Sequence, residues 1–263
     1  MIKLAVSGAC GRMGRRIVAL AQESNVLQVA AALEQSGHEL IGQDIGVIAG
    51  IGDIGVKVAD SLAGACEVMI DFSLPRGTEK WTAVCRENKL PLVVGTTGLS
   101  ESQQQKLKGA ARQTPVLLGA NMSLGVNLLF SLAGEVAKKL GDDYDLEIIE
   151  THHRFKRDAP SGTAVVLAQK IAAAKGWPWP DCVVHGRQGK EALREKNTIG
   201  MHAVRAGDTV GEHRVIYSAL GETIELRHNA HTRDTFVRGA LRAAQWLANQ
   251  KPGFYSMADV LEL

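Results

Sequence analysis

The stretch 3-KLAVSGACGRMGRRIVALAQE-23 joins a short apolar run, a loop with three glycines and a segment whose apolar residues recur at helical spacing. The run KLAVS (3–7) is continuous rather than alternating, which is the pattern of a strand covered on both faces. A helix is expected over about 12–23. Between them, GACGRMG (8–14) puts Gly8 and Gly11 where a backbone turns tightly and approaches a pyrophosphate, stabilised by the N–H groups and dipole of the following helix. The spacing is GxxGxxG rather than GxGxxG, and glycines at a strand–helix junction also serve as plain turn residues. Glu34 decides between these readings. It follows the second apolar run, LQVAAAL (27–33), and stands 20 residues after Gly14, where a carboxylate accepts hydrogen bonds from an adenosine ribose. A solvated carboxylate at a strand end is the simpler alternative, but the full order of strand, loop, helix, strand and acid favours a nicotinamide cofactor.

The same grammar continues to about residue 121. The runs EVMIDFS (67–73), LPLVVGTT (90–97) and TPVLLGAN (114–121) are separated by helical patterns near 76–88 and 101–113. An α/β domain with a doubly wound parallel sheet follows. Ligands of open α/β sheets lie beyond the carboxyl ends of the strands. The candidate cofactor set is therefore Gly8, Ala9, Cys10, Gly11, Arg12, Met13 and Gly14, with Glu34, and the strand-end loops Gly95, Thr96, Thr97 and Gly119, Ala120, Asn121, Met122. The last two loops also read as turns and helix caps, with Ser123 as an N-cap.

From a long helical pattern at 124–140 onward the pattern changes. DLEIIETHH (145–153) reads as a strand, 161–174 as a helix, and TVGEHRVIYSALGETIELRHNA (209–230) as an antiparallel hairpin with one face covered. This is an open α+β lobe. A last helix over about 232–249 could close either lobe.

Within the second half, 150-ETHHRFKRDAPSGTA-164 concentrates the chemistry. Adjacent strand residues point to opposite sides, so His152 and His153 are expected to do different work. A loop turn can bring the His152 imidazole and the Lys156 ammonium to one reacting centre, where the first delivers a proton and the second steadies an anion. Pro160 ends any preceding helix and Ser161 caps the next. The N–H groups of Gly162 and Thr163 then form an anion site suited to a carboxylate. A structural imidazole and a metal site are the alternatives. Eight histidines are present, His228 and His231 among them, but without HExxH or CxxC, so no metal is expected.

The composition sets limits. A net charge of +2 over 263 residues argues against a nucleic-acid footprint and leaves small anions as partners. Cys10, Cys66, Cys85 and Cys182 form no CxxC pair, which points to a reducing cytoplasm. No apolar run nears the roughly 20 residues needed to span a bilayer, so no membrane partner is expected.

Taken together, GACGRMG, AALE (31–34), DFS (71–73), GTTG (95–98), ANMS (120–123), EIIETHHRFKRDAPSGTA (147–164), VRAGDTVGEH (204–213) and SMADVLEL (256–263) closely resemble the dihydrodipicolinate reductase family over essentially the whole chain. The resemblance implies NADH- or NADPH-dependent reduction of 4-hydroxy-tetrahydrodipicolinate, through its dehydrated cyclic imine, in the diaminopimelate route to lysine. It implies acid–base roles for His152 and Lys156, substrate contact by His153, and carboxylate binding by Ser161, Gly162 and Thr163. It further implies a Rossmann-like dinucleotide-binding domain over 1–122 and 232–263, a substrate-binding and oligomerisation domain with an open mixed sheet over 123–231, and a homotetramer. One departure stands out: Gln35 follows the ribose-binding acid where many members have Arg. Losing that cation disfavours the 2′-phosphate of NADPH, although Arg12 remains, so NADH is the expected preference. A non-catalytic nucleotide sensor and a different dehydrogenase, such as one acting on aspartate, share the first domain but have no need of the histidine loop.

Overall fold

In the computed structural model, which describes residues 1–263, the chain opens with β1 (Ile2–Ser7), α1 (Arg12–Gln22), β2 (Leu27–Leu33), α2 (Ile45–Ala49) and β3 (Val58–Ala59). It goes on through β4 (Val68–Asp71), α3 (Pro75–Asn88), β5 (Leu92–Val94), α4 (Glu101–Ala110) and β6 (Pro115–Leu118). Next come α5 (Leu124–Leu140), β7 (Asp145–His152), α6 (Gly162–Lys175), β8 (Val183–His185), β9 (Ile199–Arg205), β10 (Gly211–Ala219) and β11 (Glu222–Ala230). The chain closes with α7 (Asp234–Leu247), β12 (Gly253–Tyr255) and α8 (Met257–Leu261). Two compact units result: Met1–Leu124 with Asp234–Leu263, and Gly125–Arg233.

The first unit is a seven-stranded sheet in the order β12-β6-β5-β4-β1-β2-β3, parallel throughout. Leu4, Val6, Ile70 and Val93 face a core that includes Ile17 and Leu20 of α1 and Val237 and Leu241 of α7, while Met69, Leu92 and Val94 pack with Trp81 and Cys85 of α3 and Leu107 of α4. Strands apolar on both sides are thus sandwiched by helices, as their continuous runs demand. The strand order reverses between β1 and β4, and α1 and α3, which follow them, pack in different core layers, so a crevice opens beyond the paired carboxyl ends of the two strands. α7 belongs to this unit: Arg16 of α1 holds Asp234 through two hydrogen bonds of 2.9 and 2.6 Å, and a Cβ on Gly239 would lie 1.7 Å from the Met122 carbonyl.

The second unit is a mixed sheet, order β11-β10-β7-β9-β8, in which β7 runs antiparallel to β10 and parallel to β9. α5 and α6 cover one face with Leu129, Ala133, Leu167 and Ile171, and Tyr217 donates a hydrogen bond to the Ala133 carbonyl at 2.8 Å. Register stacks that face in layers. Leu146 lies beside Ile199 and Tyr217, and Ile148 beside Met201 and Val215; Glu150 then lies beside Ala203 and His213, and His152 beside Arg205. The covered face therefore turns from apolar to ionisable within two residue pairs along β7.

One member of that polar layer links the fold to pH. His213 is 4% exposed, and burial, reinforced by the neighbouring His152, pushes its pKa from 6.5 down to about 3. A base whose folded pKa is depressed takes up a proton only on unfolding, so its contribution to stability is complete above pH 6.5 and is lost as pH falls toward 3. Urea denaturation of the full chain at several pH values should show a stability slope between pH ~6 and ~4 that is smaller in His213→Leu by about 1.4 kcal/mol per pH unit. Equal slopes would place the ring in a less buried environment.

Candidate functional site

The glycine loop leaves β1 with Gly8 at φ +71°, a conformation that favours glycine, and a Cβ there would lie 2.6 Å from the Phe72 carbonyl oxygen. Gly11 caps α1 in an extended conformation and is under no such constraint. The second tight contact falls on Gly14 instead, whose Cβ would lie 2.1 Å from the Gly8 carbonyl oxygen as α1 packs on its own loop. Ala9 and Cys10 are buried within the turn, and Arg12 and Met13 start the helix. Glu34 is tied to the loop: one carboxylate oxygen accepts from the Cys10 N–H at 3.3 Å, the other from the Gln35 N–H at 3.2 Å.

Gly8, Cys10 and Gly11 of the loop line a cavity of about 1010 Å³ together with Glu34, Phe72, Ser73, Arg76, Lys80 and Trp81, whereas Ala9, Arg12, Met13 and Gly14 do not line it. The residues from α3 escape sequence reading because they lie on a helix whose pattern reports only its buried face. The shape and the donor set fit a dinucleotide: a backbone without side chains at the helix N-terminus and a carboxylate at the ribose distance along the chain. Gly95, Thr96, Thr97 and Gly119, Ala120, Asn121, Met122 do not line this cavity. They follow β5 and β6 at the same carboxyl edge of the sheet. Gly95 donates to the Asp71 carbonyl at 2.9 Å and Gly119 to the Val94 carbonyl at 3.0 Å, and the Thr96 hydroxyl donates to the buried Asp71 carboxylate at 3.1 Å.

Cys10, Glu34 and His38 bring donor atoms within 4.8 Å of one another, a set that motif spacing does not reveal. Part of their donor capacity is already used. His38 Nδ1 accepts from the Leu40 N–H at 3.2 Å, both Glu34 oxygens accept backbone N–H groups, and burial, then Glu34, raises the Cys10 thiol pKa.

In the second unit β7 ends at His152, so the neighbouring histidines separate as their alternation requires. His152 lies on the helix-covered face at 9% exposure, and its Nδ1 sits 2.5 Å from Glu150 Oε2. His153 leaves the strand with its Nδ1 buried and unpartnered and its ring 6.3 Å from that of Phe155. Lys156 follows a turn closed by its N–H on the His153 carbonyl, and its ammonium binds both oxygens of Asp158 at 2.9 and 2.8 Å. That ion pair holds the Asp158 carboxyl below its ordinary pKa. Ser161 caps α6 by accepting from the Ala164 N–H at 3.2 Å, so the helix begins at Gly162 and Thr163 with its positive end at the cap.

Three residues outside the sequence-derived set complete this cluster. Glu150 is wholly buried and accepts two hydrogen bonds from Arg205, both 2.8 Å, and one from the Ser161 N–H at 3.0 Å. Burial pushes its carboxyl up, but Arg205, His152 and Ser161 outweigh burial and hold the pKa below the usual value. His213 Nε2 shares a 2.9 Å hydrogen bond with the Ser161 hydroxyl, and its ring meets His152 edge-on at 5.2 Å. Burial lowers the pKa of His152, with Lys156 and Arg205 adding to that effect and Glu150 opposing it. The cluster thus combines a neutral, partly screened imidazole, a nearby ammonium and a capped helix N-terminus, a set able to bind an anion and exchange a proton with it.

Residues 2–122 match the family described as "Dihydrodipicolinate reductase, N-terminus" and residues 125–261 the one described as "Dihydrodipicolinate reductase, C-terminus". The 4-hydroxy-tetrahydrodipicolinate reductase of Geotalea uraniireducens is 47% identical over 266 residues, and that of Geobacter sulfurreducens 46%, each match covering 100% of both chains. Among solved structures, a dipicolinate-bound dihydrodipicolinate reductase from Paenisporosarcina sp. TG-14 shares the fold with a TM-score of 0.77 over 98% of each chain at 24% identity. The chain belongs to the dihydrodipicolinate reductase family, NAD(P)H-dependent oxidoreductases that reduce 4-hydroxy-tetrahydrodipicolinate in the diaminopimelate route to lysine.

Proposed function

We propose that the first unit binds the dinucleotide through the loop 8–14 and Glu34, with the loops 95–97 and 119–122 toward the nicotinamide, and that the second unit binds the dicarboxylate substrate and returns a proton to it. The bound nicotinamide supplies the hydride. The observation that carries the reading is the buried Glu150–His152 contact of 2.5 Å beside a capped helix N-terminus. Ser161, Gly162 and Thr163 take one substrate carboxylate at the start of α6, where the dipole and cap favour an anion. His153, whose Nδ1 is buried without a partner, contacts the substrate.

Hydride addition leaves electron density on the ring that must be quenched by a proton, and His152 delivers it. Its burial favours the neutral ring, whereas an arriving dianion favours the imidazolium. Substrate binding and proton uptake are therefore coupled. Lys156 steadies the developing anion, exchanging Asp158 for the substrate as its partner.

NADH is the preferred cofactor. Gln35 offers no charge to a 2′-phosphate, while Arg76 and Lys80 in the same cavity wall supply enough positive charge for NADPH to remain usable. The uncovered face of the second sheet, which carries Ile149, Val204 and Ile216 between its charges, supports assembly into a homotetramer. Four unpaired cysteines suit a reducing cytoplasm, and no helix is long and apolar enough to cross a membrane.

His152→Gln should lower kcat about a hundredfold to ten-thousandfold while NADH affinity, measured by fluorescence titration, stays near the wild-type value. Full turnover in that variant would remove His152 from the mechanism. Steady-state kinetics with both cofactors should give a higher kcat/KM for NADH, and a clearly higher value for NADPH would contradict the role given to Gln35.

A further inference from the structure

Glu150 is wholly buried and accepts two hydrogen bonds from Arg205, though neither residue is given a step of its own in the chemistry above. A fully buried carboxylate is costly unless every lone pair is used. Here Arg205, Ser161 and His152 use them, and Arg205 is itself anchored by donating to the Asp158 carbonyl at 2.6 Å. An ionised carboxylate only accepts, so the hydrogen in the 2.5 Å contact belongs to His152 Nδ1. The other ring nitrogen, Nε2, faces the start of β10, where Gly211 stands: a Cβ at that position would come within 3.0 Å of it. A side chain at this position would crowd that nitrogen, which is not the one in contact with Glu150.

We infer that Glu150 and Arg205 are positioning residues for His152: the carboxylate fixes the ring as the Nδ1–H tautomer with Nε2 presented to the reacting molecule, and the guanidinium sets how much carboxylate charge the ring feels. The inference rests on the proton-delivery role proposed for His152. The two residues act with opposite sign. Glu150 on β7 stabilises the imidazolium, and Arg205 on β9 opposes it both directly and by drawing off the carboxylate's charge. The remaining groups around the ring are Lys156 of the loop, itself paired with Asp158, the capped N-terminus of α6, and the neutral His213 of β10. None of them touches Nδ1.

The test follows His152 by ¹⁵N-histidine NMR and, in parallel, the pH dependence of kcat in Glu150→Gln, Arg205→Met and Arg205→Lys. Wild type should show the Nδ1–H tautomer when neutral. Glu150→Gln should move the titration of His152, and with it the falling limb of the kcat profile, about one to three pH units lower. Arg205→Met should move both upward, and Arg205→Lys should stay near wild type. Arg205 is partly exposed, so its variants keep the test readable if Glu150→Gln fails to fold. A packing role alone would scale kcat equally at every pH and leave the titration unmoved. That result, an Nε2–H tautomer in wild type, or a downward shift in Arg205→Met overturns the inference. If the titrations move as expected while the kcat limbs do not follow, the positioning stands and proton delivery by His152 falls.

Discussion

A carboxylate with no access to water has to be neutralised where it stands, and Glu150 imposes that requirement on the whole second unit. Removing one partner of such a buried charge typically costs about 3–5 kcal/mol. Its partners come from three separate stretches of chain: β7 itself, Arg205 at the end of β9, and the backbone of Ser161 at the start of α6. Register, helix start and the loop between them are therefore fixed by one group. Two backbone bonds tighten the same corner, Ala206 N–H to the His152 carbonyl at 2.9 Å and Arg154 N–H to the Gly207 carbonyl at 3.1 Å. The histidine loop is long and highly charged, but its base is a clamp.

A similar device organises the first unit with a smaller cluster. Asp71 at the end of β4 is wholly buried and accepts from the Ser73 N–H and from the hydroxyls of Thr78 and Thr96. This ties the ends of β4 and β5 and the start of α3 to one point at the carboxyl edge of the sheet. Phe72, next along the chain, is packed so closely on Gly95 that a Cβ there would lie 2.2 Å from the ring, and its carbonyl abuts Gly8. The strand ends around the glycine loop are held by contacts that a larger residue at either position would break.

Much of this was legible in the sequence, for identifiable reasons. The parallel sheet declared itself because strands covered on both faces must be apolar throughout, and the hairpin because one covered face forces alternation. β9 was not legible: it inserts beside β7 from a distant charged stretch, and pairing of that kind leaves no local mark. β3 and β12 are too short to show a period. Which unit α7 joins depends on what its apolar stripe meets, and amphipathicity alone does not say. In the site, His152 and Ser161 were visible as residue types at a strand end and a helix start. Glu150 stands two residues before His152, and the period of a strand puts both on one face, so it could have been found. Arg205 and His213 could not, because they reach the cluster only through the register of β9 and β10. The loop glycines illustrate the same limit: spacing suggested Gly8 and Gly11, whereas the close contacts fall on Gly8 and Gly14.

In the function proposed above the two units would divide the work by chemistry, the first offering glycine backbone and Glu34 to the dinucleotide, the second offering buried charge whose balance would shift on binding an anion. That proposal makes proton uptake accompany substrate binding. Calorimetric titration of the NADH-loaded protein with dipicolinate, near neutral pH in buffers of different ionisation enthalpy, measures it. Net uptake of up to about one proton per chain is expected in the wild type, with most of it lost in His152→Gln. Heats that are the same in every buffer, or an uptake that survives the loss of the imidazole, would contradict it.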